Sequence, residues 1–122
     1  MSEQEVKLLI KSLKTLKIKQ EAMNKVEKLT GNIMDEKEEY EKISLLITVL
    51  EAGIDILKKE EKEIVELHLV EKFTWNEIAE FYEEKVGKAF VYSDRTYKRI
   101  QQRAIRRIQE FMIEMGVDKL IA

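Results

Sequence analysis

Apolar residues recur at three- and four-residue spacing along most of the chain, which is the period of an α-helix and not the alternation of a strand. The first run is Val6, Leu9, Leu13 and Leu16, continuing more weakly through Met23 and Val26. Ser2 and Glu5 ahead of it have the spacing of a capping box, so the pattern predicts one helix running to about Leu29. Thr30-Gly31-Asn32 supplies residues that accept a left-handed backbone and end helices, and Asp35 with Glu38 marks the next start. The second run, Tyr40, Ile43, Ile47, Leu50, Ile54 and Leu57, forms a seam of the kind a coiled coil carries. Residues 1–58 thus read as a helical hairpin. Its seams either bury each other and pack on the rest of the domain, or serve self-association.

The mixed-sign run from Lys58 to Glu63 reads as a solvated connection and the module boundary, because opposite charges interleave there. Beyond it, residues 59–122 carry a denser pattern. Ile64, Val65, Leu67, His68 and Leu69 predict a short apolar helix, followed by a second capping box at Thr74 and Glu77. Ile78, Ala79, Phe81 and Tyr82 continue as a helix of two or three turns, with Ala79 small enough for a neighbouring helix to approach closely. Ser93 is a good N-cap for a long final helix through Thr96, Tyr97, Ile100, Ala104, Ile105, Ile108 and Phe111. The pair reads as a helix-turn-helix within an all-α fold, with residues 83–92 as its least regular part. No proline and only four glycines interrupt the chain, which fits that reading.

Net charge is −2, weak grounds by itself for a nucleic-acid partner. The distribution matters more. Residues 93–122 carry seven Lys/Arg against four Asp/Glu, all five arginines lie there, and no acid occurs from Arg95 to Gln109. At about 100° per residue, Tyr97, Ile100, Ala104, Ile108 and Phe111 share one face of the final helix, while Arg95, Lys98, Arg99, Gln102, Arg103 and Arg106 share the other. Such a helix suits the DNA major groove, where Arg bonds guanine and Gln bonds adenine through paired contacts. The N-terminal turns of a recognition helix lie closest to the bases, so Arg95, Lys98, Arg99 and Gln102 are the expected readers. Arg103, Arg106 and Arg107 lie farther along and suit phosphates. Ser93 and Thr96, with Thr74, Trp75 and Asn76 at the preceding helix start, are further expected phosphate contacts. The plainer reading is a basic face turned to solvent or to an acidic partner, including the acidic 77–84 stretch of the same chain.

The segment EKEIVELHLVEKFTWNEIAEFY followed by YSDRTYKRIQQRAIRRI resembles the promoter-reading C-terminal domain of bacterial sigma factors and, more closely, phage transcriptional activators of the RinA/ArpU type. Glu77-Ile78-Ala79 behind Thr74-Trp75, and Ser93 to Thr96 leading to Arg103-Ala104, carry the likeness over about residues 60–109. Trp75 and the string from Tyr92 to Tyr97 favour the phage group. The resemblance implies a helix-turn-helix that binds double-stranded DNA, and the same role for Arg95, Lys98, Arg99 and Gln102. The chain departs from the sigma pattern in two places: an apparent insertion, EEKVGKAF, between Ala79 and Ser93, and Ile100 where arginine is common. A whole sigma factor is not expected in 122 residues.

Other classes fare worse. Cysteine is absent, which excludes thiolate metal sites and cysteine nucleophiles, and His68, the single histidine, lies in an apolar helix without a paired nucleophile. No enzyme, metal or cofactor is expected. MSEQEVKLL lacks the pattern of a secretory signal and no stretch is apolar enough to span a membrane, so a cytoplasmic protein without membrane association is expected. The rival reading is a protein-interaction module using the Tyr40 to Leu57 seam and the tail Met112, Met115, Val117, Leu120 and Ile121. Its partner would be RNA polymerase or a phage DNA-packaging assembly. With DNA binding retained, the same surfaces predict a homodimer on a palindromic operator.

Overall fold

The computed structural model describes residues 1–31, 37–117 and 119, and among them the fold is all-α, with no strand. Helix α1 spans Glu3–Lys11 and is opened by the expected capping box: the Glu5 N–H donates to Ser2 Oγ at 3.1 Å and the Ser2 N–H to Glu5 Oε1 at 3.4 Å. It does not continue to Leu29. At Ser12 the hydroxyl donates to the Leu8 carbonyl at 2.8 Å, and the N–H is shared between the carbonyls of Leu8 and Leu9. Competition for the i−4 carbonyl by a serine hydroxyl bends helices. A separate helix α2, Leu13–Thr30, follows, closed by Gly31 in the left-handed region at φ +66°. The Asn32 and Asp35 signals lie outside the described residues.

The hairpin is formed by α2 and α3, Lys37–Asp55. Polar clasps tie its two arms antiparallel: Lys19 to Glu39 at 2.6 Å, Gln20 to Ser44 at 3.0 Å and Lys17 to Glu51 at 3.3 Å. The seam of Ile43, Ile47, Leu50 and Ile54 on α3, with Leu57 just past its end, is buried within the chain. It joins Val6, Ile10 and Leu13 on one side and Val65, Leu69, Ala104, Ile105, Ile108 and Met112 on the other in one apolar core. The boundary expected at residue 58 therefore runs through a shared core. Of the apolar tail, Met112 and Val117 are buried in the same core and Met115 is exposed, while Leu120 and Ile121 lie outside the described residues.

Helix α4, Lys59–Val65, passes into a wide π-turn over Glu66–Val70, and the chain leaves it with Lys72 at φ +62°. Helix α5, Trp75–Val86, is capped by Thr74 and Glu77 as expected. It outlasts the expected start of the irregular stretch at residue 83; Gly87, at φ +90°, ends it before a single 3₁₀ turn over Lys88–Phe90. Helix α6, Asp94–Glu114, begins at Ser93, whose Oγ accepts the Thr96 N–H at 3.3 Å. A second, smaller core of Ile64, Ile78, Tyr82, Tyr97 and Ile100 joins α4, α5 and the start of α6. Tyr82 and Tyr97 stack there with ring centroids 5.2 Å apart, and the Tyr97 hydroxyl accepts the Tyr92 N–H at 3.1 Å, fixing the chain just before α6.

At Gly53 α3 approaches α6 closely: a Cβ built there would lie 3.3 Å from both Ile108 and Phe111. Gly53→Val would force two packed side chains aside and should lower unfolding stability by roughly 1–3 kcal/mol in urea titration. Serine at the exposed residue Glu80 should change it by less than about 0.5 kcal/mol.

Candidate nucleic-acid interface

Helix α6 is fixed by what its inner face buries. Tyr97 and Ile100 enter the smaller core, and Ala104, Ile105, Ile108 and Met112 the larger one. With that face committed, Arg95, Lys98, Arg99, Gln102, Arg103, Arg106 and Arg107 are all exposed. Thr96, Arg99, Gln102, Arg103 and Arg106 line one shallow groove along the outer surface. The expected base readers Arg99 and Gln102 and the expected phosphate contacts Thr96, Arg103 and Arg106 are thus brought together. Arg95 stands one turn nearer the N-terminus, and Lys98 lies along the edge that faces α5 and α1.

Two of the arginines are engaged elsewhere in the chain. The Arg106 Nε lies 2.8 Å from Glu3 Oε1 on α1, and the neighbouring Gln109 donates to the Met1 carbonyl at 2.8 Å. Arg107 is drawn toward α4, where its Nε lies 3.3 Å from Glu61 Oε2. Glu61 is buried and its other oxygen accepts the Lys58 N–H at 3.2 Å, so this carboxylate clamps the start of α4 to α6. Among the described residues, no ion pair joins the acidic 77–84 stretch to an α6 arginine.

The remaining expected phosphate contacts flank this face. Ser93 and Thr96 hydroxyls lie 3.0 Å apart and serve the α6 cap. The Thr74 hydroxyl accepts the Glu77 N–H at 3.1 Å; Asn76 is exposed beside it. Trp75 is half-buried and stacks on His68, with ring centroids 3.9 Å apart and planes at 26°. Farther along α5, Lys85 meets Glu63 at 2.7 Å and holds α5 to α4; burial opposes the Glu63 charge, but Lys85, Tyr82 and Lys59 together overcome it and keep the carboxyl below its ordinary range.

A polar contact not anticipated from the sequence lies beneath the basic face. His68 Nδ1–H donates to Gln101 Oε1, and Gln101 is buried on the inner side of α6. The register offered a sign of this, since Gln101 stands three and four residues before Ala104 and Ile105, on the buried side of the wheel. Burial pushes the His68 pKa below its usual 6.5; the Gln101 bond opposes this in part, while Lys7, Lys11 and Lys98 add to it. No cluster of His, Cys, Asp or Glu that could hold a metal occurs among the described residues, and no described helix is long and apolar enough to cross a membrane.

No protein-family model, curated protein or solved structure matches the chain.

Because the folded chain binds a proton at His68 less readily than the unfolded chain, the stability held by neutral His68 is complete above about pH 6.5. It is lost as pH falls through the lower folded-state value. Thermal melts between pH 7.5 and 5 should show this decline, and it should flatten in His68→Gln. An NMR titration should put the single histidine's midpoint below 6.5.

Proposed function

We propose that this chain is a sequence-specific double-stranded-DNA-binding regulator that reads the major groove with α6. The observation that carries the reading is the two-sidedness of α6: its inner face is locked into both cores while Arg95, Lys98, Arg99, Gln102, Arg103 and Arg106 stand exposed opposite. A helix with side chains is about 10–12 Å across and fits a groove about 12 Å wide. In the helix-turn-helix arrangement, α5 lies across the backbone and the first turns of α6 meet the bases, which makes Arg95, Lys98, Arg99 and Gln102 the readers. Arg103 holds a phosphate. Arg106 does so after exchanging Glu3 for the backbone, an exchange of small cost because the pair is solvent-exposed. Arg107 contributes positive potential and holds Glu61. The likeness to RinA/ArpU-type phage activators and to the sigma C-terminal domain supports regulation of transcription as the task.

A second reading, a helical protein-interaction module, is favoured by one observation. Ile18, Val26 and Leu29 form an exposed apolar stripe on α2, on the side away from α3. Since the α3 seam is consumed internally, this stripe is an apolar surface available to a second copy, to RNA polymerase or to a packaging assembly. Sedimentation distinguishes the first of these from the others. A homodimer predicts concentration-dependent association that Val26→Ser with Leu29→Ser abolishes without loss of helix content.

Selection of bound duplexes from a random DNA pool is the decisive test of the main reading, and it should enrich one motif. On that motif Arg99→Ala should cost roughly 1–3 kcal/mol, with little change on unrelated DNA. Arg103→Ala should weaken both and reduce the logarithmic salt slope by about one. Full affinity for the selected duplex in a folded Arg95, Arg99, Arg103 triple-alanine protein would falsify the assignment.

A further inference from the structure

Helix α1 lies along one edge of α6, although about a hundred residues separate them in sequence. Between them is a cleft of about 400 Å³ whose wall on the α1 side includes Gln4 and Lys7, and on the α6 side Lys98, Gln101 and Gln102; the stacked His68 and Trp75 also line it. Gln102 belongs both to this cleft and to the arginine groove, so the two surfaces are continuous. Lys11, one further turn along α1, lies close enough for its charge to act on His68, as do those of Lys7 and Lys98. Glu3, the one acid lining the cleft, pairs with Arg106 in the free chain and is outnumbered by these lysines once Arg106 turns to the backbone. Among the described residues none of these three lysines is held in an ion pair.

We propose that this cleft and the adjoining turn of α1 are a second DNA-backbone site, in which Lys7 and Lys11 of α1 hold phosphates of the strand bordering the groove that α6 occupies, beside the base reader Lys98. The proposal rests on α6 being the reading helix. Its physical ground is steric. A helix fills the width of the major groove, so an element packed beside it lies over the phosphate ridge. On this edge that element is α1, and it presents lysines and a glutamine amide there, donors suited to phosphate oxygens. The DNA-binding unit is then not confined to residues 59–122. It includes the first helix, whose lysines add affinity without adding sequence information.

The test compares Lys7→Ala with Lys11→Ala in one protein against Arg99→Ala, on the selected duplex and on an unrelated duplex, over a range of salt. Alanine is the best helix former and neither lysine belongs to the cores, so the double variant should keep its melting temperature. It should bind both duplexes roughly tenfold or more weakly, with the logarithmic salt slope smaller by about two. Arg99→Ala should lose the selected duplex alone. Unchanged affinity and slope in the lysine variant, with Arg99→Ala behaving as expected, overturns the second site and leaves α6 as reader. No effect of either variant removes the reading and the site together. A measurement on the unaltered protein gives an independent check. The groups around His68 are Lys7 and Lys11 of α1, Lys98 and Gln101 of α6 and Trp75 of α5, with Glu3 at the rim. Phosphates seated among these lysines should raise the His68 titration midpoint when the duplex is bound, and a midpoint that stays fixed at saturation overturns the proposal.

Discussion

Burial of the inner face of α6 is the constraint on which the rest of the structure depends. This one helix supplies Tyr97 and Ile100 to the smaller core and Ala104, Ile105, Ile108 and Met112 to the larger, so α1, α3, α4 and α5 are all positioned in relation to it. Gly53 keeps the α3 crossing tight, because it has no side chain that would hold the backbones apart. Rotating α6 by even one residue would move it about 100° and carry arginines into the apolar interior, where an unpaired charge is costly. The outward direction of the basic residues is therefore a by-product of packing. It requires no separate stabilisation.

Much of this architecture was legible in the sequence, and the reasons differ by level. Helix positions followed from apolar spacing, and three starts from local chemistry: Ser2 with Glu5, Thr74 with Glu77, and Ser93 all cap where their spacing places them. The bend at Ser12 was missed because the apolar pattern passes through it without a change of period, and only the direction in which α1 and α2 find partners differs. The π-turn at 66–70 likewise leaves no mark in an apolar run. The fate of the α3 seam was open to two readings, since a seam that pairs with a neighbour in the same chain looks the same as one that pairs with another copy.

Within the candidate interface, exposure was legible and partnership was not. A helical wheel distinguishes Arg99 from Ile100. It contains nothing about Glu61 or Glu3, which come from other helices and engage Arg107 and Arg106. The same limit hid the cleft at Lys7, whose two walls are read from opposite ends of the chain. Periodicity reports how one element divides between inside and outside, while the composition of a surface depends on which elements become neighbours.

The docking of α1 on α6 also has a consequence for how the molecule is made. Glu3 and Arg106, and Met1 and Gln109, meet across more than a hundred intervening residues. During synthesis α1 leaves the ribosome first and α6 last, so Val6 and Ile10 have no completed core to enter until nearly the whole chain has emerged. The α2–α3 hairpin can close early, through contacts of modest separation, whereas the surface that joins α1 to α6 is a late event with the high loop-closure cost of distant segments. A chain from which α6 has yet to emerge therefore cannot form the surface that α1 and α6 share.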